Sequence, residues 1–175
     1  MITILPLPSE PAESLRVQIK DFHSEDTMLN QFLKRKAQKH SRELISKTYI
    51  VLDEDVLVGY FSLLADHLQA TEIIRSQFGK GKLYSNYPAV KIGRLAVNER
   101  MAGKGYGSIV MDAIKHEFGI NEQKLGIRYI STDAKNVPLT INFYQKHGFQ
   151  FLTKEDAYDD TRMMYYDLLE YRNQD

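Results

Sequence analysis

The sequence predicts a mixed α/β fold with a mostly antiparallel central sheet flanked by helices, and three observations carry that reading. Apolar, β-branched and aromatic runs alternate with amphipathic stretches at helical spacing along the whole length. Residues 90–118, VKIGRLAVNERMAGKGYGSIVMDAIKHEF, pass from a strand through a glycine-rich turn into a helix. The last third holds a strand, a helix with signals at both ends and two closing strands. With 175 residues, 43% of them hydrophobic and 26% charged, one domain spanning residues 1–175 and burying its own core is expected.

Residues 2–7 read as a short first strand, stopped by Pro6 and Pro8. A helix with Leu15, Val17 and Ile19 follows. A clearer helix is expected from Asp26 or Thr27 to about His40, with Met28, Leu29, Phe32, Leu33 and Ala37 on its apolar face. Lys34, Arg35, Lys36, Lys39 and His40 make its other face basic, which alone means only a solvated surface. Residues 48–52 and 56–65 form a hairpin pattern around Asp53-Glu54-Asp55, a turn without glycine. Residues 66–88 are then long for a plain connection. They are read as a short helix over 70–78 followed by Gly79-Lys80-Gly81-Lys82, either a functional segment or a variable surface insertion.

In the central junction Val90, Ile92, Leu95, Ala96 and Val97 mark the strand, and Gly93 implies a bulge or a close backbone approach. Tyr106, Ile109, Val110, Ala113, Ile114 and Phe118 share one helix face. Residues 127–132 read as a strand and 136–147 as a helix. Asn136 is expected to cap it, Pro138 suits its first turn and Gly148 its exit. Residues 149–153 and 162–168 close the sheet.

Between the central strand and helix lie Gly103, Gly105 and Gly107. Such a turn lets several backbone N–H groups point into one concavity, and the next helix adds unpaired N–H groups and the positive end of its dipole. The result is a phosphate or pyrophosphate site, or else a mere tight connector. A Walker loop is excluded, since no Gly-x-x-x-x-Gly-Lys-Ser/Thr run occurs. A dinucleotide fingerprint is excluded too, because its third glycine, counted from Gly105, falls on Val110. Cysteine is absent, so thiol chemistry and disulfides are impossible, and a cytoplasmic location without signal peptide or membrane span is expected. Zero formal net charge gives no whole-molecule attraction to nucleic acid, although a local basic face remains open. Neither metal-ligand spacing nor a Ser/His/Asp arrangement is seen.

RLAV at 94–97 followed by AGKGYG at 102–107 resembles the acetyl-CoA motif of the GNAT superfamily of N-acetyltransferases, Gln/Arg-x-x-Gly-x-Gly/Ala. In the register set by the strand, Ala102 stands where Gln or Arg is usual, which removes one side-chain contact. A second register from Arg100 through Gly103 and Gly105 also fits, but moves the loop away from the helix start. NFYQKHGF at 142–149 is a second match, and the order of elements is similar to the GNAT fold over nearly the entire chain. The resemblance implies acetyl-CoA as acetyl donor and an amine-bearing acceptor. It implies that Leu95, Ala96 and Val97 pair with the pantetheine arm, and that the Val97 N–H polarises the thioester oxygen. Gly103, Lys104, Gly105, Tyr106, Gly107 and Ser108 would bind the pyrophosphate, and Asn136 would contact the cofactor. Tyr144 is the implied general acid for the departing thiolate. Asp66 and His67 are candidate bases by location alone.

Phe22, MLNQFL at 28–33, GYFSL at 59–63, GRLAV at 93–97 and Phe143-Tyr144 further resemble the bacterial toxin branch of that superfamily. Members of that branch acetylate the amino group of aminoacyl-tRNA and are neutralised by a small DNA-binding antitoxin. The resemblance thus implies aminoacyl-tRNA and an antitoxin as partners, with a homodimer as the family expectation. Zero net charge, the long 66–88 segment and the acidic residues 155–160 do not match that branch. A metabolic or protein N-acetyltransferase acting on a small amine or a protein amino group stays open, as does a non-catalytic acyl-CoA sensor.

Overall fold

The structure, a computed structural model, describes residues 1–78, 84–120 and 125–173; the expected Gly79-Lys80-Gly81-Lys82 run lies outside them. In chain order the elements are β1 (Ile2–Pro6), α1 (Glu13–Asp21), α2 (Thr27–Arg35), α3 (Ala37–Arg42), β2 (Lys47–Asp53) and β3 (Val56–Gln69). Then come α4 (Glu72–Ser76), β4 (Asn86–Val97), a 3-10 turn (Glu99–Met101), α5 (Tyr106–Gly119), β5 (Tyr129–Lys135), α6 (Pro138–Lys146), β6 (Gln150–Phe151), β7 (Thr161–Asp167) and α7 (Leu168–Arg172). Hydrogen bonding orders the strands β1-β2-β3-β4-β5-β7-β6. Of the registered pairs only β4–β5 is parallel, so the sheet is the mixed, mostly antiparallel one expected. The chain divides into two compact units, Met1–Leu64 with Gly93–Met111, and Ala65–Ile92 with Asp112–Asp175.

In the first unit β1 pairs with β2 from Ile2↔Asp53 to Pro6↔Tyr49, and β2 pairs with β3 from Lys47↔Leu63 to Asp53↔Val56. The hairpin turn is the two residues Glu54 (φ 48°) and Asp55 (φ 69°). Both sit in the left-handed region, which matches strand twist in a two-residue turn and which Asp tolerates better than most residues. The core joins Phe22, Phe32, Leu33, Ala37, Ile50, Tyr60 and Ala96. Tyr60 meets Phe22 edge-on at 5.6 Å, stacks on Phe32 at 6.2 Å and donates from its hydroxyl to the Leu29 carbonyl at 2.7 Å. Two expectations are corrected. The single helix to His40 is broken at Lys36 (φ −117°), and the break turns Ala37 fully into the core beside Phe32. Met28 leaves the apolar face: in the first helical turn it lies 77% exposed, beyond the reach of the core.

In the second unit β4 runs parallel to β5 from Ala89↔Tyr129 to Lys91↔Ser131, and β7 pairs antiparallel with both β5 and β6. Tyr87, Tyr129 and Tyr165 pack edge to face. Gln77 accepts from the Tyr129 hydroxyl and donates to that of Tyr165, both at 2.9 Å, so the buried phenols are satisfied. The connection after β3 is shorter than expected because β3 continues to Gln69 and β4 begins at Asn86. Burial alternates there, with Leu68 buried and His67 and Gln69 exposed, so a one-sided strand had the polarity of a loop. β5 begins two residues later than expected and extends to Lys135.

Candidate active site

The first unit holds the end of β4 and the glycine loop. A Cβ on Gly59 of β3 would lie 2.8 Å from the Ala96 carbonyl, and the Asn98 N–H donates to the Val58 carbonyl at 2.8 Å. The backbone of Ala96 and Asn98 therefore faces β3, and by strand alternation that of Leu95 and Val97 faces away from it. Gly93 is the close approach expected, because a Cβ there would meet the Leu64 side chain at 2.8 Å. Asn98 then caps the 3-10 turn, accepting from Arg100 N–H at 3.1 Å.

Gly103 (φ 75°) and Gly105 (φ 85°) take left-handed conformations, and a Cβ at either would have nothing within 4 Å. The first helical bond of α5 runs from Ile109 N–H to the Gly105 carbonyl at 3.1 Å. Among the described residues the N–H groups of Gly103, Gly105, Tyr106 and Gly107 have no protein acceptor. They form the start of a 14-residue helix and the loop before it, so donors and dipole act together on an anion. Ala102 and Lys104 differ: their N–H groups close turns onto Glu99 and Met101. Lys104 itself is exposed, and Ser108 is half-buried in the first helical turn.

The Tyr106 hydroxyl donates to Asp53 Oδ2 at 2.7 Å, tying the helix start to the hairpin, while the N-terminal ammonium lies 3.2 Å from Oδ1. The Tyr106 hydrogen bond first, then that of the ammonium, holds the Asp53 carboxyl below its ordinary value. A depressed carboxylate pKa adds stability that is present above the unfolded value, about 3.9, and is lost as pH falls through the folded one. Thermal melts should therefore show wild type above Asp53→Ala at about pH 6, with the gap closing below about pH 4. A gap independent of pH would remove the carboxylate from this tie.

The second unit holds Tyr144, on α6 and 6% exposed. The β4–β5 ladder stops at Lys91↔Ser131, and in place of the next rung Thr132 Oγ1 lies 3.2 Å from the Ile92 carbonyl as donor. The same Oγ1 lies 3.4 Å from the Tyr144 hydroxyl. Burial raises the Tyr144 pKa above that of a free phenol, so the group holds its proton at neutral pH. Asn136 does not cap α6. Its Nδ2 donates to the Ala157 and Asp159 carbonyls at 3.1 and 2.9 Å, and the cap position falls to Val137, extended before Pro138. Asp66 lies inside β3 and accepts from Ser131 Oγ at 2.6 Å, and His67 is exposed.

The first unit also carries a groove of about 570 Å³ between α1 and the α2–α3 pair. Its apolar lining includes Leu7, Ile19 and Leu33, and around these stand Arg16, Lys20, Lys34, Arg35, Lys39 and Arg42 against one carboxylate, Glu10. Exposed ion pairs link Arg16 to Glu13 and Lys39 to Glu43 at 3.6 and 3.8 Å. His40 leaves the expected basic face: its ring packs on Phe32 at 5.2 Å and its Nδ1 lies 3.4 Å from Ser46 Oγ. The sequence pattern named Lys34, Arg35 and Lys39 of this groove, together with Lys36, which does not line it, but missed Arg42 at the end of α3 and Arg16 and Lys20, which only folding brings to them. Among the described residues no group of three or more His, Asp or Glu could hold a metal, and no helix is long and apolar enough to cross a membrane.

A family model described as an acetyltransferase (GNAT) domain matches residues 45–151. A crystal structure of a bacterial toxin superposes with a TM-score of 0.84 at 19% identity, covering 99% of this chain and 94% of that one. AtaT complexed with acetyl-methionyl-tRNAfMet gives 0.80 at 19%, covering 99% of both chains. A tyrosine-to-phenylalanine mutant of AtaT, bound to the C-terminus of the antitoxin AtaR and acetyl-CoA, gives 0.70 at 19%, covering 99% and 97%. At such identity the likeness to these proteins is one of fold.

Proposed function

We propose that this chain, which belongs to the GNAT acetyltransferase family, transfers the acetyl group of acetyl-CoA to the α-amino group of an aminoacyl-tRNA. The observation that carries the choice of acceptor is the groove of six cations on a chain whose formal net charge is zero. Concentrating positive charge on one face of a neutral protein suits a polyanion. The fold shared with AtaT, solved with an acetylated aminoacyl-tRNA, supports the same reading.

The residues present fit the donor. The N–H groups of Gly103, Gly105, Tyr106 and Gly107 have no acceptor among the described residues and suit a pyrophosphate. The backbone of Leu95 and Val97 faces away from β3, the orientation in which it would pair with the pantetheine arm as an added strand, and the Val97 N–H serves to polarise the acetyl carbonyl. Acetyl-CoA, when bound, supplies an acetyl group activated as a thioester. Tyr144 Oη holds the proton that the departing thiolate needs. Asn136 positions the 157–160 loop rather than capping its helix, and in this reading it also contacts the donor.

A dedicated base is not required. An α-amino group ionises near about 8, whereas a lysine amine ionises near about 10.4. The ester link to tRNA withdraws electrons and lowers the former further. A neutral amine is thus abundant at physiological pH, consistent with Asp66 being engaged by Ser131. An antitoxin partner belongs to this reading, because AtaT is solved with one.

Reversing Lys34, Arg35 and Lys39 to Glu should weaken binding of charged tRNA at least about tenfold and flatten its salt dependence. The affinity for acetyl-CoA should stay the same. Filter binding at several salt concentrations measures both. Unchanged tRNA affinity would point instead to the alternative acceptor, a small amine or a protein amino group.

A further inference from the structure

Among the described residues Lys115 is the one buried lysine, 8% exposed on α5. Burying an ammonium is costly unless it is paired and hydrogen-bonded. Lys115 Nζ donates to the His147 carbonyl at 2.6 Å and lies 3.9 Å over the Tyr166 ring. His147 is the residue at which α6 ends. There the Tyr144 carbonyl accepts from both His147 and Phe149 N–H at 3.0 Å, and Gly148 exits at φ 77°. A Cβ on Gly148 would meet the Tyr166 ring at 3.1 Å, so that ring lies directly under the exit turn. Phe149 packs on Tyr166 at 5.7 Å and edge-on to Tyr144 at 5.2 Å. The turn that fixes the backbone of Tyr144, and the ring that flanks its phenol, thus both rest on the Lys115–Tyr166 pair.

We propose that Lys115 is a positioning residue for Tyr144: by hydrogen-bonding the His147 carbonyl over the Tyr166 ring, it locks the end of α6 and sets where the Tyr144 hydroxyl sits. The inference rests on the acid role given to Tyr144 above. The cation also sits at the negative end of the α6 dipole, where positive charge is favourable.

The test is a double-mutant cycle of Lys115→Met and Tyr144→Phe, run on whichever acceptor wild type acetylates from a panel of charged tRNA and free amines. Lys115→Met should lower kcat about 10- to 100-fold, the cost of misplacing a reacting group by about 1 Å, while the acetyl-CoA Kd stays within about twofold. In the Tyr144→Phe background the same change should cost nothing further. With ring-labelled tyrosine and no acetyl-CoA present, the Tyr144 carbon resonance should move in Lys115→Met. It is identified by its loss in Tyr144→Phe. Should Lys115→Met fail to fold, Lys115→Gln, which keeps a donor of shorter reach, carries the same cycle. Wild-type kcat in the lysine variant, multiplicative losses in the double mutant, or an unmoved Tyr144 resonance would each overturn the positioning role. Wild-type turnover in Tyr144→Phe alone would instead overturn the acid role beneath it.

Discussion

Gly105→Trp abolishes acetyl-CoA binding. Gly105 has φ 85°, a region in which a bulky side chain is strained by about 1–3 kcal/mol. Nothing lies within 4 Å of the missing Cβ, so the substitution meets no wall and the core is untouched. The damage falls on the loop itself. Relaxing the strain turns Gly105 out of the left-handed region and re-aims the N–H groups of Tyr106 and Gly107. The indole also occupies space beside them. Each hydrogen bond to a charged group is worth about 1.5–3 kcal/mol, so losing two raises the acetyl-CoA Kd by about a hundredfold or more. Gly105→Ala carries the strain without the bulk and should fall between the two. Calorimetric titration with acetyl-CoA measures the series, and an unchanged Kd in Gly105→Trp would take the loop out of the donor site.

Tyr144→Phe lowers kcat about a hundredfold or more, the range typical of a lost general acid, with acetyl-CoA affinity preserved. The fold should tolerate the change. The phenol packs between Phe143 and Phe149, contacts the ring keeps. Its polar neighbour Thr132 Oγ1 still has the Ile92 carbonyl as acceptor. Because burial raises its pKa, Tyr144 keeps its proton on the alkaline side, and wild-type turnover should rise with pH to a plateau as the acceptor amine becomes neutral. A stopped-flow pH series on both proteins separates the two effects. Wild-type kcat in the variant would remove Tyr144 from the chemistry.

The strand, glycine turn and helix of residues 90–118 were legible because each signal there is local: β-branched residues, glycines at fixed offsets and apolar residues at helical spacing. The hairpin was legible too, although its turn replaces glycine by Glu54 and Asp55 in left-handed conformations. The contacts that complete the candidate site were not legible, because they join residues far apart in sequence. Asp53 and Tyr106 are separated by 53 positions, and nothing local to either names the other. Lys115 looks like a solvated residue of an amphipathic helix until folding covers it with Tyr166 and the end of α6. Asn136 has the residue type of a cap, yet the carbonyls of the 157–160 loop outcompete the helix for its amide. Arg16 and Lys20 join the other cations of the groove only once α1 packs beside α2 and α3. Local pattern thus names the glycine loop and Tyr144 as candidates, but not the distant residues that pack against them.

Mass spectrometry of charged tRNA incubated with the protein and acetyl-CoA, with a panel of free amines alongside, identifies the acceptor. Acetylated aminoacyl-tRNA, formed by wild type and lost in Tyr144→Phe, is the predicted result. Acetylation confined to the free amines, with the charged tRNA unmodified, would contradict it.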